Sequence, residues 1–483
     1  MVDKLGESDI KIHRRSLGVH LTSSNIFLKY ILPAIKDELW SYNWIDLFAG
    51  EGNLIFPILD SIAPKKKVDF FKNHIYLFDI QEEMVQKCIK NAEIYGIPSE
   101  IAVDNIKLRD NLEKFPTFLK TLQFPLYHIT NPPYLYLGYI RKHAETQKYL
   151  KLFEGDYEGY QDLYQIAMVN DLRNNIENLI YIIPSNFLYG ASVSNKFRMD
   201  FLKYYNIDKM IIFEKKIFEH TGTNICIGFF KRKTVVKSEN EEFLGVKFKK
   251  QDEIIEKQYI LKPEFKYRAG SEFDEFSRKY HSKSSLKVSY YLLNEEVQKS
   301  LGTNELKVID ANNYKKNTYS KITLHLNDNL KEKVESNILY VRTVDTGSYN
   351  GRAGLGIIAE DFKVKGIYVS GNTYRTHPIQ IFIEPQITQE DQILLKNYFN
   401  FILEAFREGL DSEFLTTYKY SNAAYTRKYL GLTQTRNLIE TLPMNYMNSK
   451  DKVTLNYLIK RGEFEAVLEF LNKIKKRKND LIN

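Results

Sequence analysis

Short apolar runs, each closed by an acid or a proline, punctuate the first half of the chain. Trp44-Ile45-Asp46, Ile75-Tyr76-Leu77-Phe78-Asp79 and Ile101-Ala102-Val103-Asp104 end in aspartate. Leu126-Tyr127-His128-Ile129 leads into Asn131-Pro132-Pro133-Tyr134, and Leu179-Ile180-Tyr181-Ile182-Ile183 stops at Pro184. Runs this short and this rich in β-branched and aromatic residues predict strands buried on both faces, and the prolines remove the next ladder donor. Residues 209–214 and 224–231 supply a sixth and a seventh strand. Between the runs, Ile26, Leu28, Ile31, Leu32 and Ile35 share one helical face, with Ser23 or Ser24 as N-cap and Pro33 as an interruption; Ile166, Ala167, Val169 and Leu172 share another. Strands alternating with helices predict an α/β fold with a mostly parallel sheet.

The pattern changes near Thr234, where the polar stretch Lys237-Ser238-Glu239-Asn240-Glu241-Glu242 reads as a linker. Beyond it, alternating segments such as Gly366-Ile367-Tyr368-Val369 and Ile379-Gln380-Ile381-Phe382-Ile383 lie among glycine-rich loops. A chain of 483 residues exceeds what one core usually serves, so two domains are expected. The expected division is a first domain over 1–235, a linker over 236–245 and a mixed α/β domain over 246–483.

Hydrophobic content of 43% and charged content of 27% are those of a soluble globular protein. No membrane-length apolar run exists, and Lys4, Lys11, Arg14 and Arg15 interrupt the N-terminal stretch, so a cytoplasmic protein without a signal peptide is expected. Cys88 and Cys226 form neither a disulfide framework nor a zinc spacing; both read as core residues, and no metal is expected. The net charge of +8 is uneven: residues 1–240 carry 31 basic and 29 acidic side chains, residues 241–483 carry 38 and 32. The excess in the second half suits a polyanionic partner or a solvated surface, and the same two readings apply to Lys65-Lys66-Lys67 and to the basic end of the chain, Lys473–Lys478.

Candidate chemistry gathers at the carboxyl ends of the predicted strands, where open α/β sheets bind ligands. Asn131 Oδ1 and the Pro132 carbonyl can each accept one hydrogen of an exocyclic amine, while Pro133 fixes the loop and Tyr134 offers a face for a flat ring. After Asp46, Ala49-Gly50-Glu51-Gly52 allows a close backbone approach, and a helix predicted to open at Asn53 would favour an anionic group such as a carboxylate. Asp79 at a strand end can accept from both hydroxyls of a ribose.

Asn-Pro-Pro-Tyr, preceded in order by Asp46 with its Gly-x-Gly, Asp79 and Asp104, and followed by Asp162-Leu163-Tyr164 and Pro184-Ser185-Asn186-Phe187-Leu188, resembles the amino methyltransferases, above all the DNA adenine-N6 class in its gamma motif order, similar to enzymes that modify TCGA sites. The resemblance covers about residues 17–232. It implies a seven-stranded, Rossmann-like S-adenosylmethionine-dependent methyltransferase sheet with an antiparallel last strand, and a C-terminal target-recognition domain. It implies S-adenosyl-L-methionine as cofactor, held by Thr22, Asp46, Ala49, Gly50 and Gly52, by Asp79 and Ile80, by Asp104 and Asn105, and by Asn131. Asn131, Pro132, Pro133 and Tyr134 become catalytic, with Phe218 on the opposite side of a flipped-out adenine; an ordinary core phenylalanine is the alternative. Cytosine-N4 enzymes usually carry Ser-Pro-Pro-Tyr instead.

In the second half, Tyr349, Arg352, Tyr374 and Arg375 sit in loops combining glycine, aromatic and basic residues, and Tyr425 and Arg427 in a polar-aromatic cluster over 418–428, as base and phosphate contacts do. Double-stranded DNA is the expected partner of a monomer, within or outside a restriction system that includes an endonuclease. An RNA or protein-amide methyltransferase on the same fold, and a non-catalytic DNA-binding subunit, are the alternatives.

Overall fold

The computed structural model of the chain describes residues 22–215, 217–218, 224–249, 253–282, 286–345, 351–371, 377–419 and 427–482. These form two compact units, one running to Ala269 and one from Gly270. Among the described residues no helix is long and apolar enough to cross a membrane.

The first unit is built on a nine-stranded sheet: β1 Asn43–Asp46, β2 Ile75–Asp79, β3 Ile106–Leu108, β4 Leu126–Thr130, β5 Asn178–Pro184, β6 Tyr205–Phe213, β7 Ile225–Arg232, β8 Glu241–Phe248 and β9 Ile254–Leu261. Their spatial order is β3-β2-β1-β4-β5-β7-β6-β8-β9. Strands β1 to β5 are mutually parallel, and β7 runs antiparallel between β5 and β6. Every residue of β1 and β5 is buried, as a sheet covered on both faces requires. The first seven strands in this order, with β7 reversed, make the class I methyltransferase fold.

Three expectations are corrected. The sheet has nine strands rather than seven, because β8 pairs in parallel with β6 and β9 closes a hairpin on β8. The division of the chain therefore falls at Ala269, beyond the expected linker at 236–245. Residues 241–248 read as polar because one face of β8 is solvated: its residues alternate between buried Glu241, Phe243, Gly245 and Lys247 and more exposed neighbours. Buried Glu241 is ion-paired with Lys233. The stretch ending in Asp104 is a helix, Ser99–Asn105, and the third strand follows it. Pro98, Ser99 and Glu100 are a helix start, with the Ile101 amide donating to the Pro98 carbonyl at 3.0 Å.

The leading helix starts, as expected, at Ser23, whose hydroxyl accepts from the Asn25 amide at 3.2 Å. Pro33 does not end it. A π-turn over Phe27–Ile31, with the Leu32 amide donating to the Phe27 carbonyl, widens the helix just ahead of the residue that lacks a donor.

Buried Arg198 fixes the last segment of the unit. Its guanidinium donates to the carbonyls of Phe187 and Gly190, each at 2.8 Å, to Asn195 Oδ1 at 2.7 Å and, through Nε, to the Lys266 carbonyl at 2.8 Å.

The second unit contains two four-stranded sheets. One orders Lys287–Tyr290, Ile379–Glu384, Leu339–Arg342 and Gly354–Ile357; the other orders Leu292–Leu293, Gly366–Val369, Leu301–Lys315 and Thr318–Leu326. Helices Gln389–Gly409, Ser449–Arg461 and Phe464–Ile482 are among its other elements, and Leu395, Tyr398, Phe399, Ile402, Leu455 and Leu471 share a core with the first of these sheets.

Replacing Arg198 by Met keeps most of the volume and leaves several buried carbonyls without a donor. The expected loss is about 3 kcal/mol, read from urea unfolding; an unchanged midpoint would contradict this anchoring role.

Candidate active site

The strand order reverses at β1, whose neighbours are β2 and β4, so the connections leave its carboxyl end in opposite directions and open a crevice there. A cleft occupies this edge. Thr22, Asp46, Ala49, Gly50, Asp79, Ile80 and Asn131, all expected to hold the cofactor, line it together with Pro133.

The loop after β1 is held from beneath. His128, buried on β4, accepts the Leu47 amide at Nε2, 3.1 Å away, and its Nδ1 lies 2.6 Å from Asp171 Oδ2. Tyr181 also donates to Asp171 Oδ2, at 2.6 Å. With Nε2 accepting, the proton sits on Nδ1 and points at the carboxylate. Asp46 Oδ1 accepts the Thr130 hydroxyl at 2.6 Å and the Phe48 amide at 3.0 Å. Burial raises its pKa to about 6, against the lowering effects of these two donors.

Gly50 and Gly52 have φ of +54° and +83°, a region costly for other residues. The Gly50 amide donates to Asp79 Oδ2 at 2.9 Å, and Asp79 Oδ1 accepts the Gln81 amide at 2.8 Å. One carboxylate thus joins the loops after β1 and β2; burial raises its pKa while the amides oppose the shift. Gly52 lies behind the cleft, where a Cβ would come within 2.2 Å of the Phe56 ring. No α-helix opens at Asn53. Turns lead to a 3-10 helix, Phe56–Ser61, because Pro57 cannot donate to the Asn53 carbonyl. Instead the Asn53 side chain donates to the Thr22 carbonyl at 3.0 Å.

Asp104 and Asn105 do not reach the cleft. Asp104 is exposed on its helix, and Asn105 Nδ2 donates to the carbonyls of Phe71, Lys72 and Ile75, closing the helix Lys67–His74. Their place is taken by Asp110 and Asn111 after β3, with Arg109 and Leu112 beside them. Asp110 Oδ1 accepts the Leu112 amide at 3.0 Å. Asn111 is 2% exposed; Nδ2 donates to the Leu47 carbonyl at 2.8 Å, and Oδ1 has no partner. The acid-amide pair just past Ile106-Lys107-Leu108 was a usable signal, weakened by a strand of only three residues with lysine at its centre. Phe48, Glu51, Asn53, Gln81 and Tyr149, also on the wall, carried no signal of their own.

At the end of β4, Asn131 Nδ2 donates to the Thr22 hydroxyl at 2.8 Å, and the Tyr134 hydroxyl bonds to Asn131 Oδ1 and, at 2.6 Å, to the Ile182 carbonyl. Tyr134 is 9% exposed, so its hydroxyl orients the asparagine while most of its ring is covered. Pro132 is buried and does not line the cleft. The loop is pinned by Asp162, whose Oδ1 accepts the Leu135 amide at 2.9 Å, and by the Leu137 amide bonding to the Gln161 carbonyl at 2.8 Å. The Asp162-Leu163-Tyr164 motif therefore positions Asn131 through this loop. Phe218, 6% exposed, belongs to the hydrophobic core and is not part of the wall.

Of the residues expected to read DNA, Tyr349, Tyr374, Arg375 and Tyr425 lie outside the described residues. Arg352 is ion-paired with Glu404, and Arg427 opens the short strand Arg427–Tyr429.

The chemistry of the cleft fits a nucleoside. Asp79 keeps acceptor capacity for ribose hydroxyls, the buried Asn111 Oδ1 lacks a donor that an exocyclic amine would supply, and Phe48, Ile80 and Leu112 provide apolar surface for a flat ring.

Residues 16–218 match the Eco57I restriction-modification methylase family. Among solved structures, the type IIL restriction-modification enzyme MmeI in complex with DNA is 12% identical, with a TM-score of 0.51 over 98% of this chain and 76% of that one. A nuclease-deletion mutant of the type ISP enzyme LlaGI in complex with a DNA substrate mimic is 11% identical, with a TM-score of 0.51 over 91% of this chain and 55% of that one. A modification subunit of a putative type I restriction enzyme from Vibrio vulnificus YJ016 is 14% identical, with a TM-score of 0.35 over 50% of each chain. The chain spans 50%, 36% and 24% of the lengths of three such relatives. No curated protein matches it in sequence. At these identities the two likenesses above 0.5 establish the fold, which is that of the class I methyltransferases.

Burial raises the Asp162 pKa to about 7, against the lowering effect of its backbone hydrogen bonds. Between the unfolded value of about 4 and this folded value, the folded chain holds a proton that the unfolded chain has lost. That stabilisation is complete below about pH 4 and is lost as the pH rises through about 7. Asp162→Asn keeps an acceptor for the Leu135 amide, and its urea midpoint is expected to fall less than the wild-type midpoint between about pH 4 and 8. Parallel profiles would contradict the assignment.

Proposed function

We propose that the chain is a site-specific DNA methyltransferase that moves the methyl group of S-adenosyl-L-methionine to N6 of an adenine flipped out of duplex DNA. The observation that carries the reading is Asn131: a carboxamide at the wall of the cleft, braced by Thr22 and Tyr134 beside Asp46 and Asp79. The match to a methylase family over the residues that form this cleft supports it.

In this reading Asp79 takes the ribose hydroxyls, Asp110 and Asn111 take the cofactor's adenine, and Thr22, Asn53 and the Gly50 turn surround the methionine end. Bound S-adenosyl-L-methionine supplies a sulfonium methyl as the electrophile. An adenine inside a duplex cannot enter a cleft at a sheet edge, so it has to leave the stack. Asn131 Oδ1 then accepts one hydrogen of the amine. It orients the lone pair and stabilises positive charge as it develops on nitrogen. Tyr134 fixes the rotation of the Asn131 amide, and Asp162 fixes the loop on which both ride. No side chain has to act as a strong base before the transfer, and orientation supplies much of the rate.

The unit from Gly270 onward would bind duplex DNA and read the target sequence, consistent with the excess of basic residues in 241–483. Association with an endonuclease and a monomeric state belong to the same proposal.

Transfer of labelled methyl to unmethylated duplex DNA is expected, with the label recovered as N6-methyladenine. Asn131→Ala is expected to reduce the rate by about 100-fold or more while cofactor affinity stays within a few-fold. Label appearing only in RNA or protein, or an unimpaired Asn131→Ala variant, would overturn the reading.

A further inference from the structure

Beyond Tyr134, the carboxyl edge of β5 holds two side-chain amides that the account so far does not use. Asn224 is 4% exposed, and neither its Oδ1 nor its Nδ2 has a hydrogen-bond partner. Asn186 Oδ1 is likewise buried without one. The two residues are neighbours in space, because the Ser185 amide donates to the Asn224 carbonyl at 2.9 Å where β7 begins to pair with β5. Native cores seldom leave such groups unpaired, and each costs stability as it stands.

Their position relates them to Asn131. Tyr134 bonds to the Ile182 carbonyl of β5, and Ile182 pairs with Ile227 of β7. Of the ionisable side chains around the Tyr134 hydroxyl, that of Cys226 acts on it most strongly. The bond from the Ser185 amide to the Asn224 carbonyl continues the pairing of β5 with β7 one residue past Ile225, so residues 224 and 226 project on the same face. The Asn224 carboxamide therefore lies on the Cys226 face of β7, displaced toward the carboxyl end of β5, the same edge from which Asn131 reaches the cleft.

We propose that Asn224 is a further substrate-binding residue, its Nδ2 donating to a ring nitrogen on one side of the amino group of the base to be methylated. This rests on the function proposed above and adds a specificity element to it. In adenine the ring nitrogens on the two sides of the 6-amino group, N1 and N7, are both acceptors, so a carboxamide donor can pair with either while Asn131 holds the amine. A base with an N–H at the paired position, such as guanine at N1 or thymine at N3, would present a donor to a donor and be rejected.

The test uses the full chain, with the target site first mapped by methylating plasmid DNA. Failure of the wild-type protein to methylate that DNA would remove the proposed function itself, and this inference with it. Given wild-type activity, Asn224→Ala is expected to melt no lower than wild type, since it removes unpaired polar atoms, and to methylate adenine about tenfold more slowly. Duplexes carrying 1-deazaadenine or 7-deazaadenine at the target separate substrate contact from structural support. One of the two analogues is expected to slow the wild-type enzyme about tenfold and to be methylated by Asn224→Ala as fast as adenine is. Equal sensitivity of both proteins to both analogues, or a variant as active as wild type, would overturn the assignment.

Discussion

The molecule's chemistry depends on one topological constraint: β1 and β4 are neighbours, yet the chain builds β2 and β3 on one side of this pair and β5 onward on the other. The loops that leave their carboxyl ends must diverge, and the gap between them cannot be filled by a direct connection. Side chains at four strand ends, Asp46, Asp79, Asp110 and Asn131, therefore face one cleft although up to 85 positions separate them in sequence.

Such a cleft is useful only if its loops hold still, and each is tied to another. Asp79 takes the amides of Gly50 and Gln81, Asn111 reaches back to the Leu47 carbonyl, Asn53 secures Thr22, and Asp162 holds the loop after Asn131. Beneath them His128, Asp171 and Tyr181 form a buried polar network that ends on the Leu47 amide. The side chains at the cleft are thus oriented by hydrogen bonds within the chain itself, as electrostatic preorganisation requires.

How far the sequence revealed this depends on the kind of signal. Buried parallel strands ending in an acid or proline are local and strong, so β1, β2, β4 and β5 were legible together with Asp46, Asp79 and Asn131. The error at Asp104 had a local cause too: an apolar stretch opened by Pro98-Ser99-Glu100 is a helix, and the true third strand, three residues long with Lys107 in the middle, carried almost no hydrophobic pattern. Strand β8 alternates buried and more exposed positions, and its first residues lay in the stretch expected to be a polar linker, which moved the expected boundary. The partnership of His128 with Asp171, 43 positions apart, and the burial of Arg198 arise only once the strands are ordered, and no local pattern encodes them.

The central claim is that this cleft holds the cofactor, with Asp110 rather than Asp104 beside its base. Calorimetric titration of S-adenosylhomocysteine into the wild-type chain, Asp110→Ala and Asp104→Ala tests it directly. The account predicts binding to wild type, an affinity about tenfold weaker or worse for Asp110→Ala, and no more than about a twofold change for Asp104→Ala. Weakening by the Asp104 substitution with Asp110→Ala unaffected, or no binding to the wild-type chain, would contradict it.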